Sequence, residues 1–412
     1  MIEWSDTHKT IRDMMHRFVE AEVKPHRDAL EHGDMPPYEI LRKLFATFGM
    51  RDMAEVRSEK AQQHAAKREE ARAKGEPYVR EERPESADQV AMQMIPIIEL
   101  SRYCPGMVTA LGVSVGLTAN TIMSRGTAKQ IARWVRDLLS LDKIGAWAIT
   151  EPGSGSDAFG SMKATARRAD GGYVLNGNKT FITNGPYADT IVFICKLDEG
   201  QGGDPKDWKV LSFVLEKGEQ GLVQSKPLRK MGMHSSPTGE LFLGDVFVPS
   251  DRLLGETETV SYRTGAKDTF TAERTGVVAM ALGIIEQCLG LSTEYAKTRV
   301  QFGKPIGEFQ LIQLKLAKME VARMNVQNLV FRIIELASAG QKMPLAEASA
   351  CKLYCAQSAM EVALEAVQLF GGNGYMAEFQ VEQLARDAKV LQIYGGTDEI
   401  QISQIARSLL AP

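Results

Sequence analysis

Residues 269–291 read T-F-T-A-E-R-T-G-V-V-A-M-A-L-G-I-I-E-Q-C-L-G-L, and the fold can be worked out from them outward. Val278, Ala281, Ile285 and Leu289 mark one helical face, and Val277, Met280, Ile284 and Cys288 mark the next. A helix that is apolar nearly all round has to be buried on every side. Glu273 and Arg274 stand at its mouth, where an ionisable side chain needs either a partner or a task. The stretch predicts a core helix with a carboxylate and a guanidinium at its entrance.

Upstream, residues 1–50 read as helical through Ile11, Met14, Phe18 and Ala21, then Leu41, Leu44, Phe45 and Phe48, and the pattern resumes over 90–139. Between them, residues 55–88 mix both signs of charge, favour helix through Ala, Gln, Lys and Glu, and offer almost nothing to bury. The plain reading is a solvated helix and linker ended by Gly75 and Pro77; the alternative is a docking arm. From about Lys143 the period shortens to strands at 174–175, 181–183, 190–195, 210–215, 241–243 and 246–248. Gly171-Gly172, Asn176-Gly177, Asn184-Gly185 and Gly202-Gly203 read as the turns between them.

Downstream from Asp268 long helices return. Ile312, Leu316, Met319, Ala322, Val326, Val330, Ile333 and Ala337 keep steps of three and four, and Gly340 and Pro344 separate them from a helix running to about Phe370. The fold class is α+β: an N-terminal helical domain over 1–142 with a charged insertion near 55–88, an antiparallel β domain over 143–256, and a four-helix-bundle-like domain over 257–412.

A net charge of −3 gives no basic field for nucleic acid. The uncharged run at 103–124 carries Gly, Thr, Ser and Asn throughout, so it reads as a packed core helix and not a membrane span. The five cysteines form no C-x-x-C pair and the six histidines lack ligand spacing, so the sequence predicts reduced core thiols and no metal. No secretory signal pattern opens the chain, and the expected location is cytoplasmic, with the mitochondrial matrix as the alternative.

Four motifs carry chemistry. The first, T-E-P-G-S-G-S-D at 150–157, has the glycines and hydroxyls to meet phosphate or polar ring atoms. A Rossmann loop would open a long helix, whereas turn and strand follow here, so alone it reads as a structural turn. R-V-Q-F-G-K-P-I at 299–306 breaks one helix and starts another, as a surface turn or a cofactor contact. Q-L-F-G-G-N-G-Y at 368–375 ends a helix on three glycines, more than a C-cap needs. In Y-G-G-T-D-E-I at 394–400, Thr397 can cap the last helix and present its N-terminus to an anion.

In this order, on an α-β-α plan, the four motifs resemble the acyl-CoA dehydrogenase family over nearly the whole chain. The resemblance implies FAD held between the β unit and the C-terminal helices. It places Trp147, Ile149, Thr150 and Ser156 along the flavin and ribityl-phosphate, Phe181 and Thr183 over the other part of the isoalloxazine, and Thr397 and Glu399 near the pyrophosphate. Arg299, Gln301, Phe302, Gln310, Gln368, Gly371 and Gly372 would bind the FAD of a neighbouring subunit, which implies a homotetramer built as a dimer of dimers. Ser156, Arg274, Gly395 and Gly396 would lie against an acyl-CoA substrate, with an electron-transfer flavoprotein as acceptor.

The implied reaction is α,β-dehydrogenation of an acyl-CoA: a carboxylate takes the α-proton while hydride leaves the β-carbon for flavin N5. Many family members carry that glutamate just before the final Gly-Thr, where this chain has Gly395. A minority, similar to isovaleryl-CoA and long-chain acyl-CoA dehydrogenases, carry it before an arginine on the buried helix, as in Glu273-Arg274. The resemblance therefore makes Glu273 the base. The same fold also serves flavin oxidases and monooxygenases, and a chain lacking the usual glutamate can be a silent subunit; both stand as alternatives. Between Phe48 and Gln93 the family's P-x-x-x-G-G-x-G loop is replaced by the charged stretch.

Overall fold

Reciprocal caps start three of the N-terminal helices. In α1 (Asp6–Phe18), Ser5 and His8 satisfy each other's backbone N–H groups. After α2 (Arg27–Glu31), α3 (Tyr38–Thr47) and α4 (Met50–Ala73), Ser86 and Gln89 do the same for α5 (Ala87–Ser101). Then α6 (Pro105–Leu111) widens into a π-helical stretch, Gly112–Ala119, before α7 (Asn120–Arg125) and α8 (Ala128–Leu139), which opens on the Thr127–Gln130 box. The molecule is seen in a computed structural model that describes residues 3–32, 35–78, 86–200, 204–259 and 266–411.

The middle of the chain forms β1 (Gly145–Ala148), β2 (Thr165–Ala169), β3 (Gly172–Thr183), β4 (Thr190–Leu197), β5 (Val210–Glu216), β6 (Leu222–Gln224) and β7 (Thr238–Pro249). They join in the order β1-β4-β2-β3-β7-β6, with β5 on β4. Every residue of β4 is buried, because Ile191, Phe193 and Cys195 face the sheet's own core while Val192 and Ile194 face a cluster with Ile131, Trp134 and Leu138 of α8.

Two expectations need correction here. The sheet is mixed, since β1–β4 and β2–β4 run parallel; the β2–β3 hairpin intervenes between β1 and β4 and gives the crossover that a parallel pair requires. Asn176-Gly177 is not a turn. It lies inside β3 as a bulge, where Gly177 has φ +146° and an added Cβ would stand 2.5 Å from the Ala164 Cβ, so the close approach of the residue that leads into β2, not chain reversal, demands the glycine. β1, β2 and β6 were not foreseen, being short and, in β2, arginine-bearing. The turn expected at Gly202-Gly203 lies outside the described residues.

The C-terminal part runs from α9 (Ala266–Thr298) through a small hairpin, β8 (Val300–Gln301) and β9 (Lys304–Pro305), to α10 (Gln310–Ser338), α11 (Leu345–Phe370), α12 (Gln380–Val390) and α13 (Asp398–Leu409). As its pattern required, α9 is enclosed, by α5, α10 and α11. Two helical stretches, Pro105–Arg125 and Glu273–Thr298, are long and apolar enough to cross a bilayer, and 50% and 67% of their most apolar 18-residue windows is buried inside the protein.

The described part of the charged stretch does form a helix, but a packed one and not one solvated all round. α4 runs through it and lies across α7 and α8, with Ala54, Ser58 and Ala65 buried on one seam. Glu69 accepts the backbone N–H of Ala128 at the start of α8, and Arg68 donates to the carbonyls of Ser124 and Gly126. Small side chains, not large apolar ones, allow this contact, which is why composition alone reads as unburiable.

Candidate active site

The mouth of α9 meets the turn between α12 and α13. Gly395 and Gly396 have φ of +62° and +87°, the left-handed region that glycine enters without strain. A Cβ added to Gly395 would lie 3.5 Å from the carboxyl carbon of Glu273 and 3.7 Å from its Oε1. The turn is tied to α9 by Tyr394, whose hydroxyl donates to Met280 Sδ at 3.3 Å. From beneath, Gln401 Nε2 donates to the carbonyls of Gly395 at 3.0 Å and Gly396 at 2.7 Å, and Lys352 Nζ to Gly396 O at 2.8 Å. Thr397 caps α13 as expected, accepting the Ile400 N–H at 3.3 Å.

Arg274 is buried and turns from Glu273 towards α11 and the turn: Nη1 donates to Ser349 Oγ at 3.1 Å, and Nη2 lies 3.6 Å from where a Gly396 Cβ would stand. Its Nε has no hydrogen-bond partner among the described residues. Glu273 as a residue is half-buried, but its carboxyl group is desolvated, and this raises its pKa above the usual carboxylate range against the opposing pull of Arg274 and Lys352. It receives no hydrogen bond among the described residues.

A second group forms at the end of β1. Thr180 donates its backbone N–H to Thr150 O at 2.9 Å, which joins the 150–157 loop to β3 and brings Trp147, Ile149 and Thr150 alongside Phe181 and Thr183. Phe181 has φ +56° and a ring 69% exposed, an aromatic residue held outward at a bulge between Lys179 and Ile182. Ser156 is exposed on the loop. The loop is anchored by a buried ion pair, Lys179 Nζ to Glu151 Oε1 at 2.8 Å, with Lys179 also donating to Ile149 O at 2.9 Å. The backbone N–H groups of Lys163 and Ala164 complete the Glu151 carboxylate.

A third group belongs to the helices. The β8–β9 hairpin rests on α9 and exposes Arg299, Gln301 and Phe302, the last by 94%, with Gln310 exposed at the start of α10. Exposed Gln368, Gly371 and Gly372 sit beside it, where Tyr295 stacks on Phe370 at 4.1 Å and Asn373 donates to the Tyr295 hydroxyl. Glu399 is exposed in the first turn of α13, its carboxylate held low by its own backbone N–H and then by Thr397.

Residues 264–410 match the family model "Acyl-CoA dehydrogenase, C-terminal domain", and residues 146–246 match "Acyl-CoA dehydrogenase, middle domain". A short-chain-specific acyl-CoA dehydrogenase of Megasphaera elsdenii is 39% identical over 321 residues, 78% of this chain and 82% of that one. The chain belongs to the acyl-CoA dehydrogenase family. It is also 32% identical to a mitochondrial isovaleryl-CoA dehydrogenase of Oryza sativa subsp. japonica, over 98% of this chain and 92% of the other. The solved butyryl-CoA dehydrogenase of M. elsdenii superposes with a TM-score of 0.81 at 33% identity, covering 100% of both chains.

This acyl-CoA dehydrogenase uses FAD, the cofactor of its family, and acts on acyl-CoA. The residues present fit FAD: Phe181 offers an outward ring beside Thr150, and the N–H groups of Gly396 and Thr397 have no acceptor among the described residues. Sequence reading missed Glu151, Lys179, Ser349, Lys352 and Gln401. One of them left a readable sign, because Lys352 occupies a core step of α11 between Ala348, Cys355 and Ala359, where only an anchored charge belongs.

Proposed function

We propose that this acyl-CoA dehydrogenase converts an acyl-CoA thioester to the trans-2-enoyl-CoA with Glu273 as the base that removes the α-proton. The observation that carries this is the meeting of Glu273 with Gly395: a carboxylate from α9 stands beside the turn that has no carboxylate of its own. FAD, held by Trp147, Thr150, Phe181 and Thr397, would supply the two-electron acceptor for the β-hydrogen. Desolvation suits Glu273 to the task, because a carboxylate short of hydrogen bonds in a dry site is a stronger base than one in water. The N–H of Gly395, which has no acceptor among the described residues, is free to hold the thioester carbonyl and stabilise the charge that develops there.

In this reading Trp147, Ile149, Thr150, Ser156, Phe181 and Thr183 flank the flavin, Thr397 and Glu399 lie at its diphosphate, and Ser156, Arg274, Gly395 and Gly396 contact substrate. Arg299, Gln301, Phe302, Gln310, Gln368, Gly371 and Gly372 serve a neighbour's flavin within a homotetramer. An uncovered apolar face on α10, formed by Leu311, Leu314, Val321 and Met324, supports a partner subunit there. The five buried free cysteines suit a reducing compartment, here the cytoplasm.

The electron acceptor is taken to be an electron-transfer flavoprotein; fast reoxidation of the reduced enzyme by oxygen alone would show an oxidase instead. The central test is Glu273→Gln. FAD and acyl-CoA should still bind, while bleaching of the flavin by acyl-CoA disappears. Undiminished bleaching in that variant would overturn the assignment.

A further inference from the structure

We infer that Lys352 and Gln401 are positioning residues, which hold the Gly395–Gly396 carbonyls from the protein side so that the N–H groups of Gly396 and Thr397 face the flavin. Both side chains are completely buried and belong to different helices, α11 and α13. A trans peptide is planar, so its C=O and N–H point in opposite directions. Gln401 takes the carbonyl of Gly395 at 3.0 Å, which turns the N–H of Gly396 the other way. Lys352 at 2.8 Å and Gln401 at 2.7 Å together take the carbonyl of Gly396, which does the same for the N–H of Thr397. Neither N–H has an acceptor among the described residues.

A buried ammonium is a costly way to hold one carbonyl unless its charge is used. Burial lowers the Lys352 pKa, and the Asp398 carboxylate 3.6 Å away, followed by Glu273, opposes that shift. Its charge polarises the peptide it grips and makes the Thr397 N–H a better donor at the mouth of α13, where the helix N-terminus already favours negative oxygens. The same charge reaches Glu273 across the turn. The charged and titratable groups around that carboxylate are Arg274 on α9, Lys352 on α11 and Tyr394 on the turn. One lysine thus acts on both sides of the site, favouring the FAD diphosphate on one and tempering the base on the other. The inference rests on the reading that places Thr397 at the diphosphate and makes Glu273 the base.

The test compares Lys352→Met, Gln401→Leu and the double variant as full-length tetramer-competent chains. FAD affinity is measured by titrating apoenzyme and following flavin fluorescence, and flavin reduction by acyl-CoA is followed against pH. Each single variant should weaken FAD about tenfold or more, as the loss of a buried polar anchor does. The double variant should lose less than the product of the two, since both residues act on one turn. In Lys352→Met the acid limb of reduction should move to higher pH, because Glu273 has lost a cation; in Gln401→Leu it should stay.

A purely structural role would lower the apoenzyme's thermal stability and leave FAD affinity and the acid limb alone. FAD affinities within about twofold of wild type in both single variants, or an unmoved acid limb in Lys352→Met, would overturn the inference. Should Lys352→Met fail to fold, the FAD affinity of Gln401→Leu decides. Failure of the base assignment shows up separately, as flavin reduction surviving in Glu273→Gln, and leaves the affinity comparison standing.

Discussion

Two buried carboxylates, Glu151 and Glu273, sit in one molecule under opposite conditions. Glu151 is saturated: two backbone N–H groups and the Lys179 ammonium occupy it, and all three segments around the loop are tied through it. Glu273 is surrounded by apolar helix and has cations nearby, yet no described residue donates it a hydrogen bond. A satisfied carboxylate is a structural joint, and taking it apart should cost folding. An unsatisfied, desolvated one holds its proton too well for stability, and the proposed function gives it a reason to be there, as a base.

That contrast can be broken by experiment. The largest effect expected is on chemistry: Glu273→Gln should slow acyl-CoA-dependent flavin reduction by about 10²–10⁴-fold or more, measured by stopped-flow bleaching. Next, Lys179→Met leaves Glu151 buried and unpaired, and urea denaturation should show a loss of about 3–5 kcal/mol. Glu273→Gln should lose no stability in the same assay. An equal loss in both variants would erase the distinction.

The pH dependence sharpens it. Because burial raises the Glu273 pKa above 4.5, the folded protein binds that proton more tightly than the unfolded chain. Its contribution to stability is therefore present at low pH and is lost as pH rises from the unfolded value through the folded one. With Glu273 as the proposed base, flavin reduction should run the other way, rising over the upper part of that window as the carboxyl ionises. Comparing wild type with Glu273→Gln by thermal melts across pH should show the difference vanish at the acid end. The smallest effect belongs to Gly395→Ala. Its Cβ fits at 3.5 Å from Glu273, so the cost is the left-handed backbone, about 1–2 kcal/mol, seen as a modest fall in melting temperature.

The sequence made legible whatever local pattern controls. The apolar circumference of α9, the bounds of α11 at Phe370 and the cap at Thr397 are all set by residues within one or two helical turns. That Gly395 carries no carboxylate is equally plain in the sequence, but only the family resemblance made that absence point to Glu273. What escaped depends on partners distant in the chain. Lys179 gives no local sign of burial until Glu151 is known to face it, and Asn176-Gly177 reads as a turn until Ala164 is seen pressed against it. The seam of α4 escaped for a different reason: alanine and serine carry little hydrophobic signal, so a helix that packs by smallness looks unpacked.

That seam has a consequence for the behaviour of the molecule in solution. Beyond its small buried side chains, α4 is secured by charge: Arg136 with Glu55 and Arg51 with Asp142, both pairs partly exposed. Such contacts weaken as ions crowd in, with the screening length falling from about 8 Å at physiological ionic strength to about 3 Å at 1 M. The loop joined through Lys179 and Glu151 and the turn beside Glu273 rest on enclosed bonds that salt scarcely reaches. Ionic strength should therefore act as a selective solvent for one helix, loosening α4 from α8, as amide hydrogen exchange would show, while the chemistry beneath runs on.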